Sequence, residues 1–482
     1  MIITDVQKLG AQIVAAYHSA PDLASVEVLS GEKTVKVVYL DELIDKELLS
    51  KTIIEPLQKT ELSNGADIIE LNKKLPASSG FVELEFKTAL DKIACGWAIL
   101  IIESAVSLFG AEVIQYEKRS ITEPPTASVL KGPREGFTED LKTNLSLIRR
   151  RLRSPLLAVT GGTFGEISKT PYAIVYIDGV CDAALVTAVR QKIESISIDG
   201  VPDSSYIARL TESRPRSIFK QTGMTEKPDI LMAKLLEGRL GVLVDGSPMA
   251  LTYPFVLFED FQDSQDYYRK SLRSTFLRFL RLFATIVAVL LPAFYVAVRE
   301  FEYQMIPLKF LLTILNATDG IPLTPTLEML VVVLIFEMLN EAGVRMPRYV
   351  GMALSIVGAV VLGDTAVKAG LISSPAVLIS ALSSTGIYCV PDQAGAFSLL
   401  RITFVTIAGV FGLYGLLLGL VCTICYLTSV SSFGSPYMAP FAPFIPADMK
   451  DSFIKSDLSE MRYRPLSIIE HKSAAKRKKS DM

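Results

Sequence analysis

Residues 276 to 430 constrain this 482-residue chain more than any other stretch, because long runs there carry no charge. Leu282 to Val298 is uncharged, and as a helix it measures about 25 Å, just enough to cross the hydrocarbon of a bilayer. Ile402 to Val430 and Leu371 to Val390 are uncharged as well. Buried strands are shorter than these runs, and the helices of a soluble core keep a polar face. The sequence therefore predicts an α-helical, polytopic membrane domain over residues 269–430, with four or five long apolar candidates.

Charge orients that domain. The 49 basic and 51 acidic residues nearly balance, but they concentrate in the first 281 residues and the last 35. Arg269, Lys270, Arg273, Arg278 and Arg281 precede the first span, and Lys472, Lys476, Arg477, Lys478 and Lys479 crowd the tail over 431–482. The positive-inside bias then places both ends on the cytoplasmic side, which requires an even number of complete crossings. Met1 to Gly10 has no basic region followed by an apolar core, so no cleavable signal peptide is expected.

Several kinds of chemistry lack their residues. The histidines are His18 and His471, and Cys422 and Cys425 form a CxxC inside an apolar run with no further ligand nearby, a pattern read as packing. There is no GxxxxGK[ST] loop, no GxGxxG after a strand and no Ser-His-Asp set. An enzyme is not expected, nor a cofactor or a metal.

The first half reads as an α/β or α+β cytoplasmic region of two subdomains, 1–115 and 169–268. In the first, Val26 to Leu29, Thr34 to Leu40 and Ala98 to Ile102 are strands, the last of them central, and Leu43 to Lys59 is a helix interrupted by Pro56. In the second, Ala173 to Ile177 and Val242 to Val244 are strands and Cys181 to Ile196 is a helix. Cys95 to Glu103 resembles Glu237 to Asp245, each with a glycine before an apolar strand and an acid after it, which hints at related subdomains. Between them, 116–168 is an ordered connector rich in Pro, Gly and Arg, ending in a helix with Arg149, Arg150, Arg151 and Arg153. Without interleaved aromatics these arginines do not indicate nucleic acid; lipid headgroups, acidic side chains or a partner subunit suit them better. Glu123 and Arg134 join Arg149, Arg150 and Arg151 as structural or partner contacts.

Polarity within the membrane half marks candidate function. Arg299 to Glu302 reads as a solvent-facing turn. A short apolar helix, Met305 to Leu315, a polar break, Asn316 to Pro322, and a charged helix, Pro325 to Gly343, suggest a broken or re-entrant element over 305–343. Glu328 and Glu337 lie nine residues apart, about 900° around a helix, so they face nearly opposite sides; one can line water while the other meets a neighbour. Glu341 with Arg345, and Asp364 with Lys368, are spaced to pair on a helix. Gly351, Gly358 and Gly363 permit close helix contact. Intramembrane carboxylates are costly, so Asn316, Asp319, Glu328, Glu337, Asn340 and Asp364 are the candidate pore or gating residues; the alternative places the acids in water at the interface.

Taken together, these polar landmarks resemble the A subunit of the spore germinant receptor family. The matching stretches are Arg119 to Pro124, Gly132 to Phe137, Asn144 to Arg151, Thr225 to Asp229, Glu237 to Arg239, Glu341 to Pro347, Gly363 to Val367 and Ser432 to Tyr437, in the family's order over roughly residues 115 to 440. The resemblance implies a cytoplasmic region of two subdomains, a polytopic region in the spore inner membrane, and assembly with a transporter-like B subunit and a lipoprotein C subunit. It also implies self-association into a ring whose pore releases cations when nutrients are sensed. Membrane lipid is a further partner. Ala127, Lys131 and Asn340 depart from the family's usual residues, and the last removes a charge before Glu341. A secondary transporter subunit and a non-conducting signalling scaffold are the alternatives.

Overall fold

The computed structural model describes residues 5–63, 68–75, 80–114, 132–345, 363–457, 459–461 and 463–468. Glu123, Ala127, Lys131, Gly351, Gly358, Pro347, His471 and the basic cluster at 472–479 lie outside them.

The first subdomain opens on helix α1 (Val6–Ala16), whose N-cap Asp5 accepts from the Lys8 amide. Strands β1 (Leu23–Ser30) and β2 (Lys33–Leu40) follow, then a helical stretch made of α2 (Lys46–Leu49), a π turn (Ser50–Ile54) and α3 (Glu55–Lys59). Pro56 does not break this stretch; it follows directly on the π turn, where the Glu55 N–H reaches back five residues to the Ser50 carbonyl and widens the helix. Helix α4 (Ile68–Lys74), β3 (Phe81–Leu84), α5 (Phe86–Ile93), β4 (Trp97–Ile102) and β5 (Leu108–Glu112) complete the unit. The sheet runs β1-β2-β4-β5-β3 with every pairing antiparallel. Strand β4 is central and buried from Ala98 to Ile102.

The second subdomain repeats that plan. Helix α6 (Leu141–Arg151), β6 (Leu157–Phe164), β7 (Thr170–Ile177), α7 (Ala183–Glu194), α8 (Ser204–Thr211), β8 (Gly223–Thr225), α9 (Pro228–Leu236), β9 (Leu240–Val244) and β10 (Ala250–Tyr253) form a second antiparallel sheet ordered β6-β7-β9-β10-β8. The order of the first sheet recurs strand for strand, and the two similar sequence stretches fall on the equivalent strands β4 and β9. The shared glycine has a physical reason. Helices α5 and α9 each end in a turn where Gly96 (φ +83°) or Gly238 (φ +99°) donates its N–H to Ile93 or Leu235, at 3.0 and 3.1 Å. Only glycine adopts that left-handed backbone without strain.

From Ser264 to Thr428 the described residues are mainly helical: α10 (Ser264–Tyr267), α11 (Ser271–Glu300), α12 (Leu308–Thr318), α13 (Pro325–Arg345), residues 363–368, α14 (Ser374–Ile387) and α15 (Ala394–Thr428). Among the described residues two stretches, Ser271–Glu300 and Pro391–Thr428, are long and apolar enough to cross a membrane, fewer than the apolar runs suggest. The run from Leu371 to Val390 is cut by an N-cap at Ser373 and an end at Tyr388, leaving about 21 Å of helix.

Helix α15 is bent at Gly412 (φ +60°, ψ −151°), a backbone region open to glycine. A Cβ on Gly415 would lie 3.2 Å from the Ile407 carbonyl, and one on Gly419 would lie 3.1 Å from the Phe404 ring. In a straight helix those pairs would be about 12 and 22 Å apart. The two arms therefore fold back on each other as a hairpin, with small residues on the facing sides.

Contacts give each element a direction. Helix α11 leaves the second subdomain at Arg281, which donates to the Phe261 carbonyl at 3.0 Å, and ends where Phe301 meets Gly412. Helix α14 returns, Ser373 lying beside Glu328 and Ser383 beside the Ala288 carbonyl. Both feet of the α15 hairpin rest on the second subdomain: Asp392 takes Lys220 at 3.1 Å, and the Ser429 carbonyl takes Arg214 at 2.9 Å.

The stretch from 431, expected as a polar tail, begins as packed structure. A short hairpin, β11 (Ser431–Ser432) with β12 (Ser435–Pro436), seats Tyr437 in the core, where its hydroxyl donates to the Lys220 carbonyl at 2.7 Å. Phe441 and Phe453 then close over Phe258, ring centres 4.5 and 5.2 Å away. Apolar rings outweigh the polar character of their neighbours in this segment.

Candidate functional site

Two arginine–glutamate pairs cross the helical bundle. Glu328, fully buried on the first turn of α13, accepts from Arg299 of α11 at 2.6 Å and from the Ser373 amide at 2.6 Å, so both its oxygens are satisfied. Nine residues on, Glu337 accepts from Arg401 of α15 and from Ser398. Arg401 is itself fully buried and donates also to the Ser383 and Ser384 hydroxyls, at 2.9 and 3.1 Å. Glu328 is closed off, whereas the Glu337 side chain keeps 28% of its surface open. Taking one partner from a buried pair leaves an uncompensated charge, so these pairs hold α11, α13, α14 and α15 in one arrangement.

A second charged cluster sits where α11 meets the soluble region. Asp266, buried in α10, accepts from Arg278 at 3.3 Å and Arg281 at 2.7 Å; Arg278 reaches Asp451 of the C-terminal segment at 3.1 Å. Beside it Glu259 takes Lys234 at 3.1 Å and also Arg239, and Asp260 takes Lys220 at 2.9 Å. Burial pushes the Asp260 carboxyl up to about 6, against the pull of Lys220. The Glu259 carboxyl is held below its ordinary value, the burial that raises it being outweighed by Arg239 and Lys234.

The residues singled out in the sequence are dispersed. Glu328 and Glu337 point from α13 to different neighbours within the bundle. Asn340 is half-buried on the same helix, and Asn316 and Asp319, at the end of α12, are exposed. Asp364 pairs with Lys368, and Glu341 with Arg345, both at 2.6 Å and on exposed surface. Arg134 is exposed. Arg149 makes a two-pronged bond to Asp22 at 2.8 and 3.0 Å, both side chains buried, and so joins the two subdomains. Arg150 and Arg151 share Glu135, each at 2.6 Å. Of the roles open to these arginines, the structure selects acidic side chains of the same chain.

Arg299 and Arg401 were not among the candidates. Arg299 belongs to the last turn of α11 rather than to a solvent-facing turn, since the helix continues to Glu300 and leaves its side chain 13% exposed. Arg401 stands immediately before an uncharged run and is hidden by any search for charge-free windows; its signal is a lone cation near three serines, Ser383, Ser384 and Ser398.

With this geometry in place, comparison with known proteins is informative. The profile of the Bacillus/Clostridium GerA spore germination protein family matches residues 11–467. The chain belongs to this family. Among its GerA-family relatives, Spore germination protein KA of Bacillus subtilis (strain 168) is 35% identical, over 81% of this chain and 72% of that one. Spore germination protein GerQA of Bacillus cereus is 32% identical, over 92% and 89%. A solved structure, the N-terminal domain of the A subunit of the Bacillus megaterium spore germinant receptor GerK3, aligns with a TM-score of 0.41 and 22% identity, covering 50% of this chain and 91% of that one. This GerA-family chain is a membrane subunit of the germination-receptor family and not an enzyme; among the described residues no cluster of His, Cys, Asp or Glu is arranged for a metal.

Proposed function

We propose that this chain is the A subunit of a nutrient-responsive spore germination receptor and that identical copies form a ring around a gated, cation-conducting pore. The observation that carries the reading is the unequal enclosure of the two intramembrane pairs. Arg299–Glu328 is closed and fully satisfied, which suits a structural lock. Arg401–Glu337 combines a fully buried cation with a partly open carboxylate, which suits a gate whose rearrangement exposes charge to a water path. Asn340, one turn beyond Glu337, and the exposed Asn316, Asp319 and Asp364 would then meet water or neighbouring copies.

In this reading α12, the break after it and α13 form the broken-helix element, and residues 1–268 form the cytoplasmic region; the connector expected over 116–168 gives up α6 and β6 to the second subdomain, because β6 pairs with β7 along its length, so that subdomain starts before residue 169. That region and the C-terminal tail lie on the core side of the spore inner membrane, in keeping with both feet of the α15 hairpin resting on the second subdomain. A transporter-like B subunit and a lipoprotein C subunit complete the receptor, and nutrient binding shifts a closed–open equilibrium by its preference for the open form. The dense ionic junction around Asp266 favours a second reading, a non-conducting signalling scaffold.

Current across a planar bilayer containing the assembled receptor separates them. Discrete cation-selective steps whose open fraction changes severalfold in Glu337→Gln are expected, while Glu328→Gln lowers the yield of folded protein. Silence with partners and nutrient present, despite verified insertion, would move the assignment to the scaffold.

A further inference from the structure

The length of the α15 hairpin locates the bilayer surface against the soluble region. Its second arm, residues 413–428, rises about 24 Å from the turn at Gly412, most of a hydrocarbon core of roughly 30 Å. On the membrane reading proposed above, in which this hairpin spans the bilayer, Ser429 at its foot stands at headgroup level.

One loop of the second subdomain is fastened at that level. Arg214 donates to the Ser429 carbonyl at 2.9 Å and lies over the Tyr426 ring, 5.4 Å from its centre. Phe219 is buried among the residues of the helical bundle, its ring 6.3 Å from Tyr426. Between these anchors Arg216 is exposed and Ile218 leaves 44% of its surface open. Among the described residues neither Arg214 nor Arg216 has a carboxylate in ion-pair range, and the nearby Glu212 accepts instead from the Gln221 amide at 3.3 Å. Lys220 is engaged by Asp260 and Asp392, Arg149 by Asp22, and Arg150 and Arg151 by Glu135.

We propose that the loop 213–219 clamps anionic phospholipid. Arg216 presents a planar fork of N–H donors, the geometry that takes two phosphate oxygens at once; Arg214 adds the guanidinium N–H groups it does not give to the Ser429 carbonyl, and Pro215 between them restricts the backbone. Ile218 adds an apolar contact at the acyl boundary, which a free phosphate ion would not use. The second subdomain then rests on the bilayer through this loop as well as through the membrane helices, whether or not the chain conducts ions.

The test uses the full chain in mild detergent, with phosphatidylglycerol or phosphatidylcholine added and retained lipid counted by native mass spectrometry. Preferential retention of phosphatidylglycerol is expected, falling about fivefold for each arginine removed in Arg216→Gln and Arg214→Gln/Arg216→Gln and weakening with salt. Arg216→Gln should unfold at the wild-type temperature, because its guanidinium supports no ion pair among the described residues, so lost retention reports binding rather than misfolding. In vesicles, a fluorophore on Ile218→Cys, in a chain whose five native cysteines are replaced by serine or alanine, should be quenched by lipids brominated along the acyl chain. Equal retention of phosphatidylglycerol by the double variant, displacement of it by inorganic phosphate at equal concentration, or an unquenched probe would each overturn the proposal.

Discussion

Among the described residues, each ion pair within the first repeat keeps at least one side chain well exposed: Lys51 and Glu47 leave 65% and 76%, Lys46 leaves 62% beside Asp41, and Glu27 leaves 47% beside the more covered Lys36. In the second, Glu259 and Asp260 are 8% and 5% exposed, each paired with lysine or arginine, and both belong to the turn Leu257–Phe261 that leads into α11. One strand order thus supports two electrostatic designs. Exposed pairs contribute a few tenths of a kcal/mol and tolerate rearrangement. Buried pairs resist opening, because a separated charge finds no water. The difference teaches that repeating a fold does not repeat its role: buried charge gathers where the second repeat must hold the membrane helices in a set orientation.

The largest effect is expected where the repeats join. Arg149→Met strands the buried Asp22 carboxylate and should cost about 3–5 kcal/mol, whereas Asp22→Leu/Arg149→Met should recover most of the loss. Urea unfolding of the full chain measures both. A loss below about 1 kcal/mol for Arg149→Met would mean that the repeats do not depend on this pair and would break the comparison at its centre.

Acidity sharpens the contrast next. The Asp260 carboxyl titrates at about 6 in the folded chain, against an unfolded value of about 3.9. Between those values the folded state holds a proton that the unfolded state releases. Its contribution is therefore fully present below pH ~4 and is lost as pH rises through 6, by at most ~3 kcal/mol. The first repeat has a counterpart in Glu42, which burial pushes up to about 7, so its contribution is lost one unit later. Stability curves from pH 4 to 8 should lose the lower step in Asp260→Asn and the upper step in Glu42→Gln; one common step, abolished by either change, would contradict the separation.

The smallest effect tests equivalence of the folds. Gly238→Ala should cost about 1 kcal/mol through its left-handed backbone. Gly96→Ala should cost about 2 kcal/mol, because its Cβ would also press on Ile114 and the Leu43 carbonyl at 3.0 and 3.1 Å. Melting temperatures of the paired variants decide this, and a larger loss at Gly238 would mean that the two turns are not equivalent.

Much of this contrast was invisible in one dimension. The strands around Val35, Ile99, Ile174 and Val242 were legible because period and composition are local properties. Asp22 and Arg149 are separated by 127 residues, and nothing in either neighbourhood names the other. Glu328 and Glu337 stood out because carboxylates are rare between apolar runs; their partners Arg299 and Arg401 did not, since each sits at the margin of a run and reads as an interfacial charge. The fold-back of α15 was hidden as well, because a 35-residue apolar helix and a hairpin of half that height share one composition.

What the sequence determined by itself was the division of labour: a charged α+β half, a half too apolar to remain in water, glycines where helices must stop, and motifs specific enough to mark the family. Those follow from transfer free energies and backbone sterics, which act residue by residue. Only the tertiary structure decided which charge meets which, that Gly412 turns a long helix back on itself, and that the segment after the last helix returns to clamp the soluble region. Pairing of this kind depends on distances closed across the chain, and buried charge accepts one arrangement because in a low-dielectric interior every other leaves it unpaired.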